Sequence, residues 1–151
     1  MFRYYLFTTV ILLFLTLPVC GGNFSDSTAI EFESLELARY ITPNDSGTAV
    51  IKNVDEWNSF LEENYFADMP LDPPVDFEEE IIIAVFWGCN YSGCNNITES
   101  IKSIQLTSSG IEVNVSPLSD LGDCQMIVCP IQMVKMDRIE AEVCFNFIQS
   151  R

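Results

Sequence analysis

One stretch constrains the fold more than any other. Ile81-Ile82-Ile83-Ala84-Val85-Phe86-Trp87 is an unbroken apolar run, preceded by Glu78, Glu79 and Glu80 and ended by Gly88. It is rich in β-branched and aromatic types and too short to make a good buried helix. A half-exposed strand would alternate apolar with polar residues, so an unbroken run predicts a central strand covered on both faces. The rest of the chain must therefore supply two apolar layers.

One layer is legible as a helix. Asn53 can cap free amides, and Glu56 three residues on completes a capping-box pattern. Trp57, Phe60 and Leu61 fall at i, i+3 and i+4, giving one apolar face. The spacing predicts a helix over 53–65, stopping near Tyr65 because Met69-Pro70-Leu71-Asp72-Pro73-Pro74 cannot continue it.

Most of the remainder reads as strands. Ile30 and Phe32 alternate with Glu31 and Glu33. Pro43 to Gly47 has turn chemistry, with Gly47 taken to accept positive φ, and Thr48 to Lys52 is a short strand. Ile97–Leu106 and Ile111–Val115 flank Ser109-Gly110 as a hairpin. Gln125–Met136 is apolar with Pro130 inside it, which predicts a bulge or an edge position. Ala141, Val143, Phe145 and Phe147 alternate into a final strand. The fold class expected is α+β: a mainly antiparallel β-sheet, open barrel or sandwich with one helix packed on it.

The N-terminus has the layout of an export signal. Arg3 supplies the charged start, Leu6 to Leu17 is largely apolar, and Pro18 breaks it. That core is too short for a membrane span of roughly 20 residues. Leu17-Pro18-Val19-Cys20 resembles a lipobox, making Cys20 a candidate lipidation site; the rival is ordinary cleavage with Val19 and Gly21 at −3 and −1. The expected organisation is a signal over 1–21, a tether over 22–28 and one domain over 29–151.

Export agrees with the cysteines, which read as disulfides in an oxidising compartment. Cys94 with Cys124 is the first pairing expected and Cys129 with Cys144 the second. That leaves Cys89 as a spare thiol or a buried small hydrophobe. A four-thiolate zinc site on Cys89, Cys94, Cys124 and Cys129 would have wider spacing than zinc knuckles use. Asp72, Asp76 and Glu78 lack the spacing of a calcium loop. No metal or cofactor is expected.

The net charge of −15, from 22 acidic and 7 basic residues, excludes the usual nucleic-acid binding by clustered Lys and Arg. The sequence contains no histidine, so Ser-His-Asp and Cys-His catalysis are excluded. The consecutive carboxylates Glu78–Glu80 would splay to opposite faces of a strand, which suits a solvated rim better than an acid–base pair. Five Asn-x-Ser/Thr triplets, at Asn23, Asn44, Asn90, Asn96 and Asn114, bear on the protein only where its host glycosylates them.

A family resemblance adds to this reading. Trp57-x-x-Phe60, a proline-bearing loop, Asp76-Phe77, the strand Ile81–Trp87 ending in Gly88, and Gly93 before Ile97 together resemble the PrcB C-terminal-like domain. A hairpin like Ile104–Val115 and a strand carrying Pro130, Met133 and Val134 continue the pattern, so the likeness spans roughly Val50 to Ile148. The cysteine loop, and the absence of a glycine pair at Gly93-Cys94, depart from it. The resemblance implies a small exported domain, often a lipoprotein, whose namesake is an accessory subunit of a surface protease complex. It carries over no catalytic residue.

The function expected is therefore a non-enzymatic binding or accessory domain, held as a lipoprotein at the outer face of the cell membrane or secreted. Its partner would be another envelope or secreted protein, a protease among the candidates. Membrane contact would come only through a lipid anchor or an uncleaved signal. Trp87 and Tyr91, aromatic types that interfaces favour, are the candidate binding residues. The alternative is a thiol-dependent redox protein using Cys89 and Cys94, which would need a nearby cation or helix N-terminus to lower a thiol pKa.

Overall fold

The computed structural model describes residues 27–36, 41–64, 74–94, 98–118 and 121–148. The signal at 1–21 with its candidate Cys20, most of the 22–28 tether, and Asp72 lie outside them. Among the described residues, ten strands and one helix follow in order: β1 (Thr28–Ile30), β2 (Glu33–Ser34), β3 (Ser46–Ile51), α1 (Val54–Asn64), β4 (Glu80–Trp87), β5 (Tyr91–Gly93), β6 (Ile101–Thr107), β7 (Gly110–Val115), β8 (Met126–Val128), β9 (Ile131–Asp137) and β10 (Val143–Phe147). Two four-stranded sheets, β1-β6-β7-β10 and β2-β9-β4-β3, are joined by a two-stranded ribbon of β5 and β8. All pairings are antiparallel except β7 with β10, which run parallel.

The architecture is three-layered, and β4 lies in the middle layer. Its even-numbered residues, Ile82 and Ala84, join Ile131 and Met133 of β9 in a core closed by Trp57 and Phe60 of α1. Its odd-numbered residues, Ile81, Ile83 and Val85, join Val134 and Met136 against Ile104 of β6 and Ile111, Val113 and Val115 of β7. Ile81 to Val85 are all buried. The unbroken apolar run thus has a helix on one face and a second sheet on the other, forming a sandwich with a helix outside it rather than a closed barrel.

The helix starts as its capping pattern dictates. The Glu56 amide donates to Asn53 Oδ1 at 2.8 Å, and Asn53 Nδ2 donates back to Glu56 Oε1 at 2.9 Å. Glu56 Oε2 also accepts the Lys52 amide at 2.7 Å. This reciprocal arrangement satisfies amides that the first turn leaves without partners. Trp57 is fully buried and stacks near Phe60, which in turn meets Phe86 of β4 with ring centroids 6.1 Å apart.

Two expectations need correcting. Gly47 is not the positive-φ residue of a turn but part of β3, opposite Phe86. A Cβ there would stand 2.8 Å from the Phe86 ring, so close packing against the ring is what glycine serves. The segment 125–136 is not one bulged or edge strand. Pro130 separates β8 from β9, and β9 is interior, between β2 and β4. Within β9, Gln132 is buried, and its Oε1 accepts the Ile101 amide at 2.6 Å. A buried polar side chain needs such a partner, and this one ties β9 to the start of β6 across the sandwich.

Candidate functional site

The ribbon of β5 and β8 stands apart from both cores and carries the most exposed apolar residues near the cysteines. Register pairs Tyr91 with Val128, Ser92 with Ile127 and Gly93 with Met126. That register places a cysteine pair at each end. Cys89 is bonded to Cys129, with Cα atoms 4.0 Å apart, and Cys94 to Cys124, 4.9 Å apart. The two bridges are nested in sequence, closing separations of 40 and 30 residues. Three-residue strands pair too little backbone to hold a ribbon by themselves; the covalent ends supply the rest.

The Cys94–Cys124 end is packed as well as bonded. The Cys94 amide donates to the Leu121 carbonyl at 2.6 Å. Gly93 makes this approach possible, since a Cβ there would come within 2.6 Å of the Leu121 backbone oxygen. At the other end the Trp87 amide donates to the Pro130 carbonyl at 3.0 Å, tying the ribbon's base to β4.

On this frame Ile127 is 78% exposed and Met126 57%, with Tyr91 also exposed. Val128 and Gly93 are buried, so the ribbon is anchored by some positions and displays others. Isolated surface hydrophobes are ordinary, but three on one covalently held ribbon make an apolar display. The chain has no Lys or Arg between Lys102 and Lys135, so the segment that supplies β8 carries no positive charge of its own.

The candidate residues from sequence divide here. Tyr91 lies on the displayed ribbon. Trp87 does not: it is half-buried at the end of β4 and packs against the core between the sheets. Met126 and Ile127 were missed because the apolar segment 125–136 reads as a single strand, bulged or at an edge; Pro130 instead divides it into β8 and β9.

The cysteine expectations also change. Cys129 is bonded to Cys89, not Cys144, so Cys89 is neither a spare thiol nor an unbonded small hydrophobe. The ribbon register brings Cys89 and Cys129 together, whereas Cys144 lies on β10 in the other sheet. Cys144 is itself disulfide-bonded. Sulfurs committed to disulfides leave the four-thiolate zinc reading without ligands. Among the described residues no group of three or more His, Cys, Asp or Glu side chains converges to hold a metal ion.

An open groove of about 520 Å³ lies along β1 and β9 and includes Glu31, Glu33, Glu80, Asp137 and Lys135. Lys135 bridges Glu80 at 3.1 Å and Glu33 at 3.3 Å, and these carboxylates, Glu80 first, raise its pKa. The three carboxylates do not splay along one strand: Glu78 and Glu79 lie in a turn built on Asp76 and only Glu80 is in β4, the Asp76 carbonyl accepting the Glu79 and Glu80 amides and its Oδ1 that of Glu78. Glu80 thus spends its carboxylate on Lys135, and the acidic run works as a structural rim. No helix among the described residues is long and apolar enough to cross a membrane. The chain matches no family model, no curated protein and no solved structure.

Proposed function

We propose that the protein is an exported, non-enzymatic binding or accessory module whose contact surface is the disulfide-held ribbon, with Tyr91, Met126 and Ile127 as its anchors. The observation that carries this reading is the exposure of those apolar side chains on a ribbon bonded at both ends. A surface fixed before contact loses little conformational entropy on binding, which raises affinity for a given area. The partner is another exported protein. The resemblance to the PrcB C-terminal-like domain favours a protease complex of the cell envelope, in which this chain is a subunit or modulator.

Two disulfides suit an oxidising, exported environment. The finer placement, lipid-anchored at the outer membrane face or released, turns on Cys20. Mass spectrometry of the mature N-terminus decides between them: a diacylglyceryl-Cys20 marks the lipoprotein, and an unmodified start at Gly21 or Gly22 marks release. The redox alternative draws no support from the cysteines, since Cys89 and Cys94 are bonded to Cys129 and Cys124 rather than to each other.

The test is site-specific photo-crosslinking in the native envelope. A photoreactive residue replacing Ile127 should trap a defined partner that the same residue at Ser59, exposed on α1, does not trap. Equal trapping from both positions, or none from 127, would remove the ribbon as the contact surface.

A further inference from the structure

The Asn-x-Ser/Thr triplets take no part in the binding reading, and the structure sorts them. Asn23 and Asn96 lie outside the described residues. Asn44 and Asn90 are exposed in loops, the first before β3 and the second between β4 and β5. They are also neighbours in space, because the Cys89 amide donates to the Asn44 carbonyl at 3.4 Å. Asn114 differs on every count. It is 9% exposed and lies within β7, between β6 and β10. Its Nδ2 donates to Ser103 Oγ at 3.2 Å, and its Oδ1 accepts from Asn146 Nδ2 at 2.9 Å.

We propose that Asn44 and Asn90 are paired acceptor sites for N-linked glycans, and that Asn114 is not an acceptor. The transfer takes an oligosaccharide from a polyprenyl-pyrophosphate donor. The asparagine Nδ2 attacks the sugar C1, the C1–O bond to pyrophosphate breaks, a C1–N bond forms and Nδ2 loses one proton. Glycans are bulky and solvated, so a triplet serves only where the folded chain leaves its amide open at the surface. Asn44 and Asn90 meet that condition. A glycan on Asn114 would break the Ser103 bond and fill space the strand neighbours occupy. By register Asn90 lies at the Cys89–Cys129 end of the ribbon, whereas Met126 pairs near the Cys94–Cys124 end. The sugars would therefore flank the base of the display, beside Tyr91, and leave Met126 at its far end open.

The test uses the mature protein isolated from the cells that make it. Enzymatic release of N-glycans in ¹⁸O-labelled water converts each glycosylated asparagine to a labelled aspartate, which peptide mass spectrometry locates. Label at both Asn44 and Asn90, with none at Asn114, is the expected result. In intact-mass spectra N44Q and N90Q should each remove the mass of one glycan, and N114Q none. An unlabelled Asn44 or Asn90, or a labelled Asn114, overturns the assignment. Crosslinking from position 127 does not depend on the glycans, so the two readings fail separately.

Discussion

Trp57→Ala is the sharpest test of the three-layer packing. Trp57 is fully buried, stacks near Phe60, and closes the core over Ile82 and Ala84 of β4 and Ile131 and Met133 of β9. Truncation removes the indole from a layer only one helix thick and leaves a cavity that Phe60 alone cannot refill. Substitutions of this kind cost about 3–5 kcal/mol, from lost transfer energy plus the cavity. At about 3–4 °C per kcal/mol for a chain of this size, the melting temperature should fall by roughly 10–20 °C. Thermal melts by circular dichroism read this directly. Val54→Ala is the internal control: Val54 is on the same helix but 48% exposed, so the melt should barely move. A cost below about 1 kcal/mol for Trp57→Ala, or one no larger than that of the Val54 control, would refute the packing of α1 on β4 and β9.

Two further perturbations probe other parts of the structure. Replacing Cys94 and Cys124 by serine, with Cys89–Cys129 intact, should cost about 2–3 kcal/mol in chemical denaturation because the unfolded chain regains loop freedom; non-reducing peptide maps of the native protein should contain Cys89–Cys129 and Cys94–Cys124 peptides, and a Cys129–Cys144 peptide would contradict the ribbon register. The pH dependence has two arms. Arg138 Nε, 2.7 Å from Glu140 Oε1, lowers that carboxyl below its ordinary 4.5. A lowered carboxylate pKa contributes stability that is present above 4.5 and lost as pH falls through the folded value. Lys135 is raised above 10.5 by Glu80 and then Glu33, so its contribution is present below 10.5 and lost as pH rises through the folded value. Glu140 is exposed and Lys135 is half-buried at the edge of an open groove, so both contributions are small. Carboxyl NMR titration should find Glu140 below 4.5 and moving back towards it in Arg138→Met; an unmoved titration would disprove the pairing.

Local sequence determined much of the scaffold. The Asn53–Glu56 cap, the Trp57/Phe60 stripe and the apolar run of β4 are set by spacing over a few residues, and each acts through short-range geometry: capping bonds, helical period, lack of alternation. The same holds for the hairpin of β6 and β7. What only tertiary structure decided is everything that depends on register between distant segments. Whether Cys89 meets Cys129 or Cys94 is fixed by how β5 slides along β8, and no local rule sets that offset. Gly47 reads as a turn residue until the Phe86 ring from the neighbouring strand lies across it. Nothing local sets the role of Gln132, whose buried amide oxygen accepts from Ile101, distant in sequence. The displayed surface was hidden for the same reason. Met126 and Ile127 share their apolar character with Ile131 and Met133, and composition cannot tell a core strand from an exposed ribbon. Pro130 ends one strand, and the two bridges then hold β8 away from the sheets that bury β9.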